Sequence, residues 1–211
     1  MVVAAVPHIS DSEADQQLVQ RILWTATPLF VAQGYTGTTA DEIAKACGIS
    51  KKTMYKYFPT KESLLRYGID VLFGMIKADN DQIIAQTDMP PRQRIAEIME
   101  RTTGVFGMVA SPALISDIKR SAPAVWDHII AWRASHIERF MALLDECLLH
   151  QELRDGLNME DIRAVFQLTL LQATEFLVTG DTRVSSPEVY KGFLDVFFHG
   201  IMVQPTSEVV P

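Results

Sequence analysis

The stretch TTADEIAKACGISKKTMYKYFPTKESLL, Thr38 to Leu65, decides how this chain is read. Thr39 followed three residues later by Glu42 fits a capping box, which starts a helix by satisfying two free backbone donors reciprocally. Ile43 and Ala44 then face inward, and Gly48 stops the helix after about two turns, the place where a left-handed residue is cheapest for glycine. Ser50 can cap a second short helix, KKTMYKYF, which runs until Pro59. Two short helices joined by a tight turn containing glycine form a helix-turn-helix layout. Ala44 is small where the helices would cross. Ile49 and Met54 are expected against Leu29, Phe30 and Ile43, with Phe58 closing the core side. Thr60 then caps the next helix, and Lys61 is expected to face outward.

The second helix cannot bury its other face. Lys51, Lys52, Tyr55 and Lys56 are expected in water beside a helix N-terminus, whose partial positive charge and free N–H groups favour phosphate. From Lys45 to Lys61 there are five lysines and no acid. A lysine-rich helix on its own is most often a solvated bundle face. Joined to a capping box, a glycine joint and a serine cap, it points to a helix that enters the major groove of DNA.

Outward from this stretch, the composition sets limits. The chain has 211 residues, 48% of them hydrophobic, enough for one large or two small domains with a substantial core. The net charge of −7 argues against a protein that coats nucleic acid without sequence preference. That charge is uneven. Residues 1–67 carry seven basic and six acidic side chains, a net +1, and the rest carries twelve against twenty, a net −8. One basic contact surface on an acidic body is expected. No apolar run reaches the roughly 18 residues of a membrane span. MVVAAVPHIS, which lacks a basic leader, and QPTSEVVP read as loose tails, residues 1–12 and 204–211. Cys47 and Cys147 are expected as reduced thiols in a cytoplasmic protein.

The apolar periodicity is helical nearly throughout, and strand signals are absent. Helices are expected at about 13–33, 39–47, 50–57, 61–86, 91–109, 112–120, 123–151, 158–179 and 186–203. The fold class is therefore all-α: a three-helix helix-turn-helix domain over 13–60, then a helical ligand-binding and dimerisation bundle over 61–203, about nine helices in all. Gly34 should end the first helix, and Pro28 inside it should kink or split it.

With these residues in view, Gln20 to Leu65 resembles the N-terminal domain of the tetracycline-repressor (TetR) family of bacterial transcription regulators. The resemblance rests on "LF", "GY" and "TT" ahead of "IA", then on "GIS", "Y", "YF" and "KE" in order. It implies a homodimer that binds double-stranded operator DNA and, in most members, represses transcription until a small molecule releases it. It places DNA contacts at Ser50, Lys51, Lys52, Thr53, Tyr55, Lys56 and Tyr57 on the recognition helix. It adds Thr38, Thr39 and Ala40 at the start of the preceding helix, Ala40 without a side-chain donor, and Lys61 as a phosphate-facing lysine. Tyr55 stays open, since its ring can be half packed with only the hydroxyl free. Past about residue 70 the likeness is weaker; the C-terminal segment resembles the AefR-like subgroup, whose last two helices pair across the dimer.

The C-terminal helices carry apolar side chains nearly all round, a sign of burial on two sides. A symmetric partner is the expected second side, with Phe166, Leu170, Phe193, Phe197 and Ile201 as seam candidates. An apolar, aromatic-tolerant effector site is expected among Met75, Ile76, Phe106, Met108, Trp126, Ile130, Arg133 and Ile137, although such residues at helical spacing are more often plain core. Catalytic, metal and cofactor motifs are absent. His128 and His136 stand eight apart, too far along a helix for a tight metal pair. An enzyme is not expected. The competing reading is a helical dimer that sequesters an apolar molecule and never meets DNA.

Overall fold

The computed structural model describes residues 12–109, 111–168 and 187–202, and among them the protein is a set of α-helices. They are α1 (Glu13–Gly37), α2 (Ala40–Ala46), α3 (Lys51–Tyr57), α4 (Lys61–Ile84), α5 (Pro91–Val109), α6 (Pro112–Ser121) and α7 (Pro123–Leu149). The described part of α8 covers 159–168, and α9 is Pro187–Ile201. The rest of the expected eighth helix lies outside the described residues.

Local chemistry sets the boundaries. Ser12, Ser50 and Ser111 each accept the backbone N–H three residues on, starting α1, α3 and α6. Thr39 with Glu42 forms the expected capping box on α2, and Thr60 with Ser63 forms another on α4. Prolines occupy the first turn of α5, α6 and α7, where a missing N–H costs nothing.

Pro28 behaves differently from expectation. Helical backbone continues through it, and the non-helical residue of α1 is Gly34, at φ 76 and ψ 173. Pro28 lies on the exposed face, where water can reach the carbonyl that loses its partner. The backbone at Gly34 is open essentially to glycine alone. A side chain there would also collide with Asp117, whose Oδ2 lies 2.6 Å from the position of an added Cβ.

The apolar side chains form two clusters. The first joins Val19, Ile22, Ala26 and Phe30 of α1 to Ile43, Met54, Phe58, Leu64 and Leu65, as the sequence pattern requires. It also takes in Leu114 and Ile118 of α6 and Val125 of α7, so α6 is built into the core of the N-terminal unit. The second joins Ile83, Ile95, Ile98, Ile137, Phe140, Met141 and Leu144 to Ile162, Phe166, Ile201 and Met202. Helix α4 is shared: its first turn enters one cluster and Ile83 the other. The turn after α7 pins the end of α9, with the Arg154 N–H donating to the Ile201 carbonyl at 2.9 Å.

Candidate nucleic-acid interface

Two short helices present the basic surface. The α2 helix ends at Cys47, and Gly48, at φ 68, makes the joint without a side-chain penalty. Ser50 then opens α3; its Oγ accepts from the Thr53 N–H at 3.0 Å and pairs with the Thr53 hydroxyl at 2.8 Å. Met54 and Tyr57 turn inward and are buried. That fixes the opposite face: Lys51, Lys52, Tyr55 and Lys56 are exposed, and Thr39 and Ser50 border them. Tyr55 is 38% exposed.

The stripe that is acid-free in sequence is not acid-free in space. Lys51 Nζ donates to Asp41 Oδ2 of α2 at 2.8 Å, and this bond raises the lysine's pKa. Lys56 Nζ lies 5.0 Å from the ring centre of Tyr57. Lys52 is exposed and has no ion pair among the described residues.

Three expected contacts are corrected. Thr38 is fully buried, and its hydroxyl is directed at the Leu29 and Gly34 carbonyls at 3.1 and 2.8 Å. It ties α1 to the start of α2 and cannot reach a phosphate. Tyr57 is 3% exposed, and its hydroxyl donates to Asp15 of α1. That bond raises its pKa. This side chain ties α3 to α1 and leaves no hydroxyl of its own on the exposed face. Lys61 is turned into the protein: Nζ donates to the Tyr35 and Thr38 carbonyls at 2.6 and 2.8 Å and sits 4.2 Å from the Tyr35 ring centre. Burial lowers its pKa. With two donors spent on carbonyls, it braces the α1–α2 corner.

Sequence reasoning missed the residue that holds this corner from outside. Asp117 of α6 accepts from the Thr36 N–H at 3.0 Å and the Thr36 hydroxyl at 2.6 Å, and Arg120 pairs with its other oxygen. The Thr36 bonds are the first cause of its lowered pKa. Ser111 adds a second tie, donating to the Val31 carbonyl at 3.0 Å. Nothing local in the sequence marks Asp117, because its partner is 81 residues away.

The expected effector residues are scattered. Met75 and Met108 are 60% and 70% exposed and line no interior. Trp126 packs against the first apolar cluster, with Lys119 Nζ 5.7 Å from its ring centre, while Ile137 belongs to the second. Ile130 and Arg133 are partly buried on α7, Ile76 is buried on α4, and Phe106 of α5 meets Trp132 edge-on at 6.4 Å. Between α4 and α7 the structure instead brings together Asp70 and His128, 2.5 Å apart, and a stack of Phe73, Trp132 and His136.

The seam candidates also need correction. Phe166 and Ile201 are buried within one chain, Phe166 stacking on Phe140 at 5.2 Å. Phe193 and Phe197 are partly buried beside them, and Leu170 lies outside the described residues. The exposed apolar groups of the same helices are Val165, Leu168 and Val196, at 50%, 60% and 72%. Among the described residues no cluster of histidine, cysteine or carboxylate could hold a metal, and no helix is long and apolar enough to cross a membrane.

Comparison with known proteins bears on the same residues. Positions 22–67 match the family described as bacterial regulatory proteins, tetR family. The HTH-type transcriptional regulator EthR of Mycolicibacterium smegmatis is 33% identical over 104 residues, 49% of this chain and 45% of that protein. The biofilm operon icaADBC HTH-type negative transcriptional regulator IcaR of Staphylococcus aureus is 38% identical over 56 residues, 26% of this chain and 30% of that protein. The chain thus spans less than half the length of these curated relatives. A transcriptional regulator from Saccharomonospora viridis, solved with choline, superposes with a TM-score of 0.68 at 16% identity, over 90% of this chain and 100% of the other. At that identity the likeness is one of fold.

Proposed function

Through its N-terminal helices the chain belongs to the tetR family of bacterial regulatory proteins, and from that premise we propose that it is a homodimeric regulator of transcription, a repressor released from a palindromic operator by a small, largely apolar effector. Residues 13–60 serve as the DNA-binding domain and 61–203 as the effector and dimer domain of a cytoplasmic protein without catalytic activity or cofactor. The observation that carries the reading is the division of α3. One face is anchored by buried Met54 and Tyr57, and the other offers Lys51, Lys52, Tyr55 and Lys56 to solvent beside a serine-capped N-terminus. Such a helix is held rigidly enough to be inserted and charged enough to be attracted.

The contact set proposed for DNA is Thr39, Ser50, Lys51, Lys52, Thr53, Tyr55 and Lys56. Thr39 and Ser50 suit phosphate, and Lys52 and Tyr55 suit base edges. Lys51 must exchange its Asp41 partner for DNA, which reduces its net gain. The seam proposed for the dimer is Val165, Leu168 and Val196, framed by Phe193 and Phe197. Repression is supported by the negative regulator among the relatives. An effector acts by binding the released state more tightly than the DNA-bound one. Helix α4, rooted in both apolar clusters, and α6, bonded to the α1–α2 corner through Asp117, are the elements placed to carry that difference.

Salt dependence tests the reading. Affinity for DNA fragments from the chain's own chromosomal neighbourhood should fall steeply as salt rises, because lysines displace condensed counterions. Sedimentation should find two chains on each bound site. A dimer that takes up apolar molecules and shows no salt-sensitive DNA binding would support the sequestering protein instead.

A further inference from the structure

Helices α4 and α7 meet at one buried amide. Asn80 of α4 is 2% exposed, and its amide nitrogen lies 3.2 Å from His136 Nε2 of α7. Its oxygen is buried without a partner. Exchanging the amide's two ends would let the oxygen meet the ring and orphan the nitrogen, so one polar atom is left over either way. Thr102 of α5 holds a second buried hydroxyl oxygen without a partner. The Arg101–Asp79 ion pair, 2.6 Å long, sets α5 against α4 at the residues next to these two. Buried polar atoms of this kind are uncommon, and each calls for an explanation.

The surroundings state what would fit. Phe73 and Trp132 stack at 3.9 Å with planes 8° apart, and Trp132 stacks on His136 at 4.8 Å and 14°. Phe106, one turn beyond Thr102, meets Trp132 edge-on. Flat faces lie parallel in a ladder, and both unpartnered atoms are on helices that flank it. The neighbouring charges are paired with one another: Lys77 and Arg139 with Asp81, and Arg101 with Asp79 and Glu97. No charge is left over among them to hold an ion. Burial lowers the pKa of His136, which favours the neutral ring.

We propose that Phe73, Asn80, Thr102, Phe106, Trp132 and His136 form the recognition site for the effector, and that the effector is a flat, uncharged aromatic molecule carrying a hydroxyl, which can donate to an amide oxygen or accept from an amide nitrogen. This rests on the effector-released regulator described above and adds the chemical class. The ring slides beside the Phe73–Trp132–His136 ladder, and its hydroxyl meets the amide atom of Asn80 that His136 leaves unpaired. An apolar molecule of the same shape leaves that atom without a partner and binds less well. Entry parts α4 from α7, and α4 carries Leu64 and Leu65 of the DNA-binding core at its other end.

Calorimetry on the full chain tests this with β-naphthol and naphthalene as probes. β-Naphthol should bind roughly three- to tenfold more tightly, the size of one buried hydrogen bond. Asn80→Leu should bring the ratio close to one, and Thr102→Val should reduce it. Equal binding of both probes to the unaltered chain, binding of neither, or a ratio that survives both substitutions would overturn the proposal. Operator titration without probe reads the regulator reading separately: a chain that fails to bind DNA but keeps the naphthol preference retains the site and loses the function.

Discussion

Removing the Asp117 carboxylate should loosen the whole N-terminal unit, although it lies on α6, outside the helix-turn-helix. Its Oδ2 accepts two bonds from Thr36, at 3.0 and 2.6 Å, and its side chain is 12% exposed. A hydrogen bond to a charged group contributes about 1.5–3 kcal/mol, and orphaning a partly buried donor adds a cost of its own. Asp117→Ala should therefore cost about 2–4 kcal/mol, and Asp117→Asn, which keeps an acceptor but not the charge, about 1 kcal/mol. With a urea slope of about 2–3 kcal/mol/M, a 3 kcal/mol loss lowers the midpoint by about 1–1.5 M. Acid gives a second handle. The Thr36 bonds hold the folded carboxyl below its ordinary value of 3.8. The stabilisation is fully present above that value and is lost as pH falls through the lower, folded one. The gap between wild type and Asp117→Asn should stay constant from neutral into mild acid and close only in strong acid. A double-mutant cycle with Thr36→Val isolates the pair. Coupling below about 0.5 kcal/mol, or a gap that closes near neutral pH, would refute the reasoning.

Other outcomes follow from the corrected positions. Tyr57→Phe should cost about 1 kcal/mol of stability through the lost Asp15 bond and leave base preference unchanged; an altered preference would return Tyr57 to the DNA surface. Lys52→Ala should change operator discrimination by roughly 1–3 kcal/mol if the side chain reads a base, checked by titrating single-base variants. Burial pushes the Cys147 thiol up to about 12, so iodoacetamide should leave it unmodified in the folded chain at mildly alkaline pH, as peptide mapping can show. Val196→Glu should give monomers of unchanged helix content in sedimentation, because the side chain is exposed in a single chain and no core is disturbed.

Much of the N-terminal unit could be read in advance because its determinants are local. Capping pairs three residues apart, a glycine joint and a serine cap place α2 and α3 to within a residue or two. The same periodicity that buries Met54 also buries Tyr57, three residues on, yet a tyrosine in a basic stretch suggests a DNA contact. Only the Asp15 carboxylate, 42 residues back, settles its direction. Thr38 and Lys61 were misread for the same reason: their partners are backbone carbonyls of a corner that exists only once α1 breaks at Gly34. The bundle was less legible. Aromatics at helical spacing indicated burial on α7, but periodicity does not say which neighbour a face meets. Trp126 and Ile137, eleven residues apart on one helix, enter different clusters. Phe166 and Ile201 looked like seam residues because both helices are apolar nearly all round; the turn at Leu153 and Arg154 draws Ile201 into the chain's own core, where Phe166 stacks on Phe140.

Selection from a pool of random duplexes with the full chain tests the central claim most directly. The account predicts enrichment of an inverted repeat, with half-sites about one helical turn apart or a multiple of that, bound by two chains. Lys52→Ala should alter the enriched half-site in both arms alike. A pool with no enriched sequence, or single unpaired half-sites bound by one chain at saturation, would contradict it.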